Sequence, residues 1–418
     1  MATQKHVTMN DVAKLAGVSL KTVSNVVNDY EFIKDSTRRK VLDAIDELGY
    51  AVNVTAKNLR SGRSDIIGLC IPDPQAPYFA KLLSFVIQEA QERGKQVMFS
   101  PTGTSRRHEL DLLHGPLASL AAGLIISPLF LSVEDEPSID FAKPLVIFGD
   151  QLPLTTHDRV TTENMVGVYR ATARLAEHGC RRIAIIGVHE GQTAGAAPRR
   201  LQGYRQALRD AGLEHDPALE IPAEVWYQPT GEMAVRSMIE QGLRPDGIVC
   251  MSDLLAAGAL HELRRQGIRV PQDVKVFGYD DSVDSQYLYP ALSSVDPNLR
   301  DAVRIAVDLL CDRIEGRVPA LAAQAGHGGG ETGETRGTDG NDRPKFAQVT
   351  VPSILRERAE LHVKNECHAA GGATARHCEG SRAGREGKRP ARSKMRLTSC
   401  RSSRCLRRIA SARRRRSA

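Results

Sequence analysis

Apolar positions near the start of the chain recur at helical spacing in short stretches. The first stretch opens with Thr8-Met-Asn-Asp11, which is typical of a helix that is capped by its own first turn, and Gly17 ends it. Ser19 is the predicted cap of the helix that follows. Two short helices joined by a tight glycine turn predict a helix-turn-helix unit.

The predicted second helix carries an outward face of short hydrogen-bonding groups and one cation. An ordinary solvated helix would hold more Glu and Lys there, whereas this surface suits base edges and phosphates in a DNA groove. A three-helix bundle without a DNA-binding role is the alternative, and it does not account for this composition. The outward positions are Leu20, Lys21, Thr22, Ser24, Asn25 and Asn28.

Beyond residue 64 the pattern changes to short apolar runs that alternate with amphipathic stretches. The runs lack polar alternation, which predicts parallel strands covered on both faces. A break near 150–164 divides them into two doubly wound α/β sheets. The predicted strands are 66–71, 96–100, 123–127, 145–148, 183–187, 247–251 and 274–278, and the predicted helices are 79–93, 105–113, 165–178, 199–211, 231–241 and 252–266.

Polar residues follow several of these strands. Ligands of doubly wound sheets bind outside the carboxyl ends of the strands, where Asp150, Asp253 and Tyr279-Asp280-Asp281 lie. Such carboxylates accept hydrogen bonds from a polyol. For Asp253, a helix N-cap is an equally good interpretation.

Composition favours a soluble globular protein of two or three domains. The chain has 418 residues, of which 41% are hydrophobic and 26% charged. No apolar run approaches the roughly 20 residues needed to cross a bilayer, so we expect no membrane span. The N-terminus has no apolar signal region, which makes the cytoplasm the expected compartment.

The net charge of +7 comes from the C-terminal end of the chain. From Val363 to Ala418 there are 17 Lys and Arg residues against 3 Asp and Glu, while the rest of the chain has 40 against 47. We expect 364–418 to be a disordered, low-complexity basic tail. It is either an arm that adds phosphate affinity or an extension from an aberrant reading frame.

Sequence motifs of enzymes and metal sites are missing. The eight cysteines form no CxxC pair, and those in the tail match no common zinc spacing, so reduced thiols and no metal are expected. There is no GxSxG, GxxxxGK[ST], HExxH or GxGxxG after a strand. We therefore expect no cofactor and no catalytic residues, with an unrecognised active site at the sheet ends as the alternative.

The segment VTMNDVAKLAGVSLKTVSNVVND closely resembles the headpiece of the lactose-repressor (LacI/GalR) family of bacterial transcription regulators. The segments TRRKVLDAIDELGYAVNVTAKNLRSGRSDIIGLCIPD, GYRQALRDAGL, MSDLLAAGALHELRRQGIRVPQDVKVFGYDDS and PALSSVDPN resemble its third helix, hinge and ligand-binding core. The resemblance runs from about residue 6 to 363. It implies a small all-α helix-turn-helix headpiece and a two-lobed α/β core, like a periplasmic binding protein, with two doubly wound parallel sheets.

The resemblance also implies a division of the chain. The expected parts are a headpiece over 1–52, a hinge helix and linker over 53–63, an effector-binding and dimerisation core over 64–363, and the tail over 364–418. Within the core, lobe 1 is expected at about 64–162 and 297–320, lobe 2 at about 164–290 and 346–362, and a disordered insertion at 322–345.

The family implies a ligand-responsive regulator, most simply a repressor of carbohydrate-metabolism genes located in the cytoplasm on the nucleoid. It would bind a palindromic operator on double-stranded DNA as a homodimer or a tetramer, with a small effector such as a sugar between the lobes. A sugar-binding transport protein and an α/β enzyme acting on a sugar or nucleotide are the alternatives.

Matching positions suggest which residues carry these roles. Leu20, Lys21 and Asn25 match base-reading sites, and Leu59 matches an apolar wedge in the minor groove. Many members have Arg in place of Asn25, and because Asn prefers adenine whereas Arg prefers guanine, the operator is expected to differ at that base. The other implied DNA contacts are Thr8, Ser19, Thr22, Ser24, Asn28 and Asn53, and the implied effector contacts are Phe79, Asp150, Arg200, Trp226 and Asp253.

Two of the effector contacts have structural alternatives. Trp226 is alternatively hinge packing, and Phe79 is alternatively part of the core. Glu163-Asn164 stands where many family members have Asp-Asn, and we expect this change to leave the inter-lobe crossover intact.

Overall fold

The structure is a computed structural model that describes residues 7–27, 30–50, 64–152, 156–319, 336–338 and 344–358. Three helices form the N-terminal headpiece: α1 (Met9–Ala16), α2 (Leu20–Val27) and α3 (Asp35–Leu48). Their shared core is small and aliphatic, and it consists of Val12, Ala13, Val23, Val26, Val41 and Ala44.

Local capping explains why the first two helices begin and end where they do. The carboxylate of Asp11 accepts hydrogen bonds from the backbone N–H of Thr8 at 2.9 Å and from its hydroxyl at 2.7 Å. Gly17 ends α1 with φ at +65°, a left-handed conformation that glycine adopts without steric cost. Ser19 Oγ accepts from the backbone N–H of Thr22 at 3.1 Å, which confirms it as the cap of α2.

The rest of the described chain forms α/β structure. Its helices are α4 (Pro77–Glu92), α5 (Arg106–Leu112), α6 (Pro116–Leu120), α7 (Asn164–Glu177), α8 (Ala196–Asp210), α9 (Gln228–Glu240), α10 (Asp253–Arg265) and α11 (Leu299–Ile314), with short 3₁₀ helices at Val133–Ser138, Pro217–Leu219 and Val283–Tyr287. Its strands are β1 (Ile66–Ile71), β2 (Gln96–Pro101), β3 (Gly123–Ile126), β4 (Leu145–Phe148), β5 (Asp158–Thr162), β6 (Ile183–Val188), β7 (Glu220–Pro222), β8 (Gly247–Cys250), β9 (Lys275–Tyr279), β10 (Ser293–Asp296), β11 (Arg336–Thr338), β12 (Pro344–Phe346), β13 (Gln348–Val351) and β14 (Ile354–Arg356).

Twelve of these strands form two six-stranded sheets, each the centre of one lobe. The first has the order β13-β5-β4-β3-β1-β2 and is parallel throughout. The second has the order β14-β10-β9-β8-β6-β7, in which only β14 is antiparallel. The chain thus has a helical headpiece followed by two doubly wound, mainly parallel sheets, which confirms the fold class that the sequence predicts.

The C-terminal end of the core departs from the predicted division. Residues 346–362 do not all lie with the second sheet: β13 pairs with β5 in the first sheet, and β14 pairs with β10 in the second. Placing all of 346–362 in lobe 2 is therefore wrong for 348–351. The chain crosses between the sheets at Pro352-Ser353, where a residue without a backbone N–H interrupts the ladder.

The predicted insertion contains regular structure. Arg336 pairs with Phe346 and Thr338 with Pro344 in a two-stranded antiparallel ladder. The expectation of disorder over 322–345 is therefore wrong for 336–338 and 344–345, while 320–335 and 339–343 lie outside the described residues.

Candidate DNA-reading helix and effector cleft

Helix α2 presents the predicted reading surface to solvent. Its apolar side holds Val23 and Val26, which are buried in the headpiece core. On the other side, Leu20 keeps 41% of its surface exposed. Ser19 and Lys21 are exposed as well, and the half-buried positions are Thr22, Ser24 and Asn25.

Some of the predicted DNA contacts make hydrogen bonds to neighbouring residues of the headpiece, and others lie outside the described residues. The exposed Thr8 uses its hydroxyl to bind Asp11, and Ser19 Oγ lies 2.9 Å from Thr22 Oγ1. The positions that lie outside the described residues are Asn28, Asn53 and Leu59, together with the predicted hinge at 53–63 and the tail at 364–418.

Arg200 is the centre of a buried polar cluster. It lies at the first turns of α8 and is only 5% exposed. Its Nε donates to the amide oxygen of Asn164 at 2.8 Å, and its Nη1 donates to the carbonyl of Met251. The guanidinium carbon lies 3.5 Å from the ring centroid of Tyr279 and 5.0 Å from that of Trp226. Arg200 and Trp226, which the sequence predicts as effector contacts, are therefore neighbours.

Asn164 connects this cluster to Asp150, another predicted effector contact. The Nδ2 of Asn164 donates to Asp150 Oδ2 at 2.7 Å, so one amide joins the first lobe's Asp150 to the second lobe's Arg200. Arg159 Nη1 and Arg199 Nε lie 3.4 and 3.3 Å from Asp150 Oδ1. The sequence analysis placed Asn164 only at the crossover between the lobes. It missed the bridge to Asp150 and Arg200, because no local sequence pattern predicts it.

Asp253 is held by three hydroxyl and N–H donors of its own lobe. Its carboxylate accepts from Ser282 N at 2.7 Å, from Ser294 Oγ at 2.6 Å and from Ser285 Oγ. The alternative that Asp253 caps a helix is wrong, because Ser252 is the N-cap of α10 and accepts from Leu255 N at 3.1 Å. Burial raises the pKa of Asp253, and the hydrogen bonds from the serines oppose that rise.

The sequence analysis placed Asp280 among the carboxylates at strand ends without assigning it an effector contact, and it missed Tyr78 as a site residue. Burial raises the pKa of Asp280 from 3.8 to about 8, and the positive charge of Arg200, 3.9 Å away, opposes that rise. Burial and then the charge of Asp280 raise the pKa of Tyr78. Both residues had a signal in the sequence, since Asp280 follows a strand and Tyr78 precedes Phe79 in the motif PYF.

The two predicted aromatic contacts lie in different surroundings. Trp226 packs on the core of the second lobe and donates from its indole N–H to the carbonyl of Gly187 at 3.0 Å. Phe79 packs on the core of the first lobe, and its ring makes an edge contact with that of Tyr78 at 5.1 Å.

Hydrogen bonds also join the lobes around this cluster. The hydroxyl of Tyr227 donates to the carboxylate of Asp73. Lys81 Nζ donates to the carbonyl of Asp281 at 3.2 Å. The cluster and its surrounding bonds thus bring charged and aromatic groups from both lobes together where the lobes meet, a region called the cleft below.

Two kinds of feature are missing from the described part of the chain. No cluster of three or more His, Cys, Asp or Glu side chains there is arranged to hold a metal ion. Among the described helices, none has the length and apolar character needed to cross a membrane.

A small helix-turn-helix headpiece followed by two parallel α/β lobes around a polar cleft defines a ligand-responsive DNA-binding protein. Residues 8–53 match the family of bacterial regulatory proteins called the lacI family, and residues 172–324 match the periplasmic binding protein-like domain.

Curated relatives match across most of their own length. The chain is 34% identical over 330 residues to the HTH-type transcriptional regulator CelR of Thermobifida fusca, covering 76% of this chain and 94% of CelR. It is 30% identical over 308 residues to the ribose operon repressor of Haemophilus influenzae, covering 74% of this chain and 92% of that repressor. The protein therefore belongs to the lacI family of bacterial transcription regulators.

Solved structures agree with this assignment. A complex of the regulator CelR with cellobiose covers 85% of this chain and 99% of that chain, with a TM-score of 0.59 and 30% identity. The lac repressor dimer bound to operator has the same fold, with a TM-score of 0.71, 24% identity, and coverage of 85% and 99%. The predictions of the family, the fold class and a DNA-binding regulator are confirmed. The relatives are regulators, which is evidence against the enzyme and the transport protein.

Proposed function

We propose that the protein is a repressor of carbohydrate-metabolism genes that binds a palindromic operator as a homodimer and responds to a sugar in the inter-lobe cleft. The observation that carries this proposal is that one chain contains both an exposed candidate reading helix, α2, and a cleft in which the amide of Asn164 joins Asp150 to Arg200. A ligand that contacts both residues changes the relative stability of different lobe arrangements.

For the DNA side, we assign base contacts to the exposed end of α2. Leu20 is proposed to make apolar contact with a base, and Lys21 to bind a base edge or a phosphate, because both side chains are exposed. Asn25 is a bidentate partner for adenine, so the operator is expected to carry A·T where relatives with Arg at this position read G·C. Thr8, Ser19, Thr22, Ser24, Asn28 and Asn53 are proposed as phosphate or supporting contacts.

We assign 53–63 the role of a hinge helix and Leu59 that of its wedge. An apolar side chain inserted at a base step of the minor groove kinks the duplex and extends the contact surface. A segment this short is marginal as an isolated helix, so pairing with its copy on DNA is expected to stabilise it. Leu59→Ala is expected to weaken operator binding and leave effector affinity nearly unchanged.

For the effector side, the cleft chemistry favours a polyhydroxylated ligand. The face of Trp226 suits the C–H groups of a sugar ring, while Arg200, Asp150 and Asp280 supply donors and acceptors for hydroxyls. The similar regulator CelR has been solved with cellobiose, and another relative is named for a ribose operon. Phe79 is proposed to form an aromatic wall of the cleft on the side of the first lobe. Asp253 is proposed to hold the segment with Ser282 and Ser285 in place beside Asp280.

The proposed dimer uses apolar surface that the lobes expose. On the edge strand β2, Met98 and Phe99 are 37% and 45% exposed. In the second lobe, Val283, Tyr287 and Tyr289 are 66%, 77% and 87% exposed and follow one another on a 3₁₀ helix and the adjoining loop. A second copy would cover both surfaces, and a tetramer would need further contacts.

As a regulator of chromosomal genes, the protein is expected to act in the cytoplasm on the nucleoid. The effector need change operator affinity by only about 1–3 kcal/mol to make a useful switch. The basic tail at 364–418, which lies outside the described residues, is proposed to have no dedicated function.

Selection from a library of inverted-repeat duplexes tests the DNA-binding proposal, followed by gel shifts at a salt concentration that suppresses charge-only binding. We expect one preferred palindrome. Asn25→Ala should lose about 1–3 kcal/mol of discrimination at one base pair of each half-site. Asn10→Ala, an exposed asparagine of α1, is the matched control. Equal binding of selected and random duplexes would refute the proposal.

A thermal-shift screen of ribose, glucose, cellobiose, adenosine and adenine tests the effector assignment, since a ligand that binds only the folded state raises its melting temperature. We expect a sugar to shift the melting temperature. Arg200→Ala and Asp253→Ala should bind operator and lose the response to that sugar. Retained response in both variants would refute the assignment of the cleft.

A further inference from the structure

His189 is a residue of the cleft that neither the sequence motifs nor the proposed function uses. It follows directly after β6, at the carboxyl end of a strand of the second sheet. Its ring centroid lies 5.3 Å from that of Trp226, with the planes tilted by 45°. Trp226 in turn lies 5.0 Å from the guanidinium carbon of Arg200. His189 therefore extends the aromatic wall on which the proposed effector rests.

The two ring nitrogens of His189 are in different situations. Nδ1 lies 2.6 Å from Oε1 of Gln192. Because an amide oxygen only accepts hydrogen bonds, Nδ1 carries the hydrogen, and Nε2 of the neutral ring is left as an acceptor. Gln192 thus fixes both the tautomer and the orientation of the ring.

Nε2 of His189 is buried and has no hydrogen-bond partner among the described residues. Buried polar atoms in folded proteins nearly always have a partner, and an exception calls for an explanation. The neighbouring groups do not supply a donor: the indole N–H of Trp226 is already used by the carbonyl of Gly187, and the Nε of Arg200 is used by Asn164.

We propose that His189 is a specificity-determining residue of the effector site, where Nε2 accepts a hydrogen bond from a hydroxyl or N–H group of the bound effector. This inference rests on the proposed function and narrows it. An acceptor at this point selects ligands that carry a donor next to the face of Trp226. It disfavours a carboxylate there, because an ionised carboxylate offers only acceptors.

The geometry suggests variants that separate the hydrogen bond from the ring contact. His189→Phe keeps a flat ring beside Trp226 and removes both nitrogens. His189→Gln places an amide oxygen near the position of Nε2 and so retains an acceptor there. His189→Asn places its amide near Nδ1 and leaves the position of Nε2 empty.

The test measures dissociation constants by calorimetry for the wild type and these variants, using the compound among ribose, glucose, cellobiose, adenosine and adenine that binds most tightly, together with its monodeoxy analogues. For a nucleobase, the analogue that lacks one N–H takes the place of a deoxy sugar. Operator gel shifts on the same preparations check that each variant is folded and binds DNA.

We expect His189→Phe and His189→Asn to weaken binding of the parent compound about tenfold, the effect of one hydrogen bond. His189→Gln should recover part of that loss. One analogue should bind the wild type about tenfold more weakly than the parent compound. The same analogue and the parent compound should bind His189→Phe with equal affinity.

Two results would overturn the inference while leaving the proposed function standing. One is a His189→Phe variant with wild-type affinity for the parent compound. The other is a variant that weakens the binding of the parent compound and of every analogue by the same factor, which would indicate that His189 has a packing role only. If none of the five compounds binds the wild type, the effector assignment of the proposed function fails, and this inference fails with it.

Discussion

The hydroxyl of Tyr227 donates a hydrogen bond to the carboxylate of Asp73, and this bond joins the second lobe to the first at the rim of the cleft. Tyr227 directly follows Trp226, and Asp73 lies just beyond the end of β1. The bond to Asp73, together with burial, raises the pKa of Tyr227 to about 12. It stabilises the lobe arrangement in which the cleft residues lie close together.

Tyr227→Phe removes this bond and keeps the aromatic ring. A ligand that contacts both lobes would then have to stabilise the close arrangement without it, so we expect about fivefold weaker effector binding, or about 1 kcal/mol. Calorimetry with the sugar found by thermal shift measures the effect. Tyr30→Phe is the matched control, because Tyr30 is 52% exposed in the headpiece, outside the cleft and outside both proposed dimer surfaces. An unchanged affinity in Tyr227→Phe would show that the bond does not contribute to closure.

Asn164→Ala tests the amide that links Asp150 to Arg200. The change removes the donor to Asp150 and the acceptor for Arg200 at a buried site, which leaves two polar groups short of a partner. We expect the free energy of unfolding of the core to fall by about 2–3 kcal/mol, as measured by urea denaturation. Gln206→Ala, on the exposed side of α8, should change it little. Equal stability of the two variants would contradict the role of the bridge.

The parts of this site that were predictable from sequence are those set by local pattern. Strand ends, the cap of α2 and the short polar face of the reading helix all follow from spacing and residue type. The bridging role of Asn164 and the orphan Nε2 of His189 do not, because each depends on residues far apart in sequence that the folded lobes bring together. The division of 346–355 between two sheets escaped prediction for the same reason: its apolar run resembles one strand, and the partner strands decide otherwise.

Asp280 gives the stability of the core a dependence on pH. Its pKa is about 8 in the folded chain against an ordinary value of 3.8, because burial disfavours the charged form. A carboxyl whose pKa is raised by folding stabilises the protein fully at low pH, and that contribution is lost as the pH rises towards 8. Between about pH 4 and pH 8, the folded state therefore keeps a proton on Asp280 that the unfolded state has already released.

Asp280→Asn should remove this dependence, since the amide is uncharged throughout. We expect the melting temperature of the wild type, relative to that of the variant, to fall between pH 5 and pH 8. Asp301→Asn makes the same chemical change at an exposed position of α11 and serves as the control. Parallel pH profiles for the wild type and Asp280→Asn would show that Asp280 does not titrate in this range.

Charge placed on the exposed apolar surface of the second lobe tests the proposed dimer. Tyr289 is 87% exposed, so the isolated chain should tolerate Asp there, whereas a dimer would have to bury the new carboxylate. We expect Tyr289→Asp, and likewise Met98→Glu on the edge strand β2, to halve the mass measured by light scattering at micromolar concentration and to weaken operator binding. Val318→Asp adds a similar charge at an apolar position that is 51% exposed beyond the end of α11, outside both surfaces, and should leave the mass unchanged. A wild-type protein that is already monomeric, or variants that keep the wild-type mass, would contradict the assignment of these two surfaces.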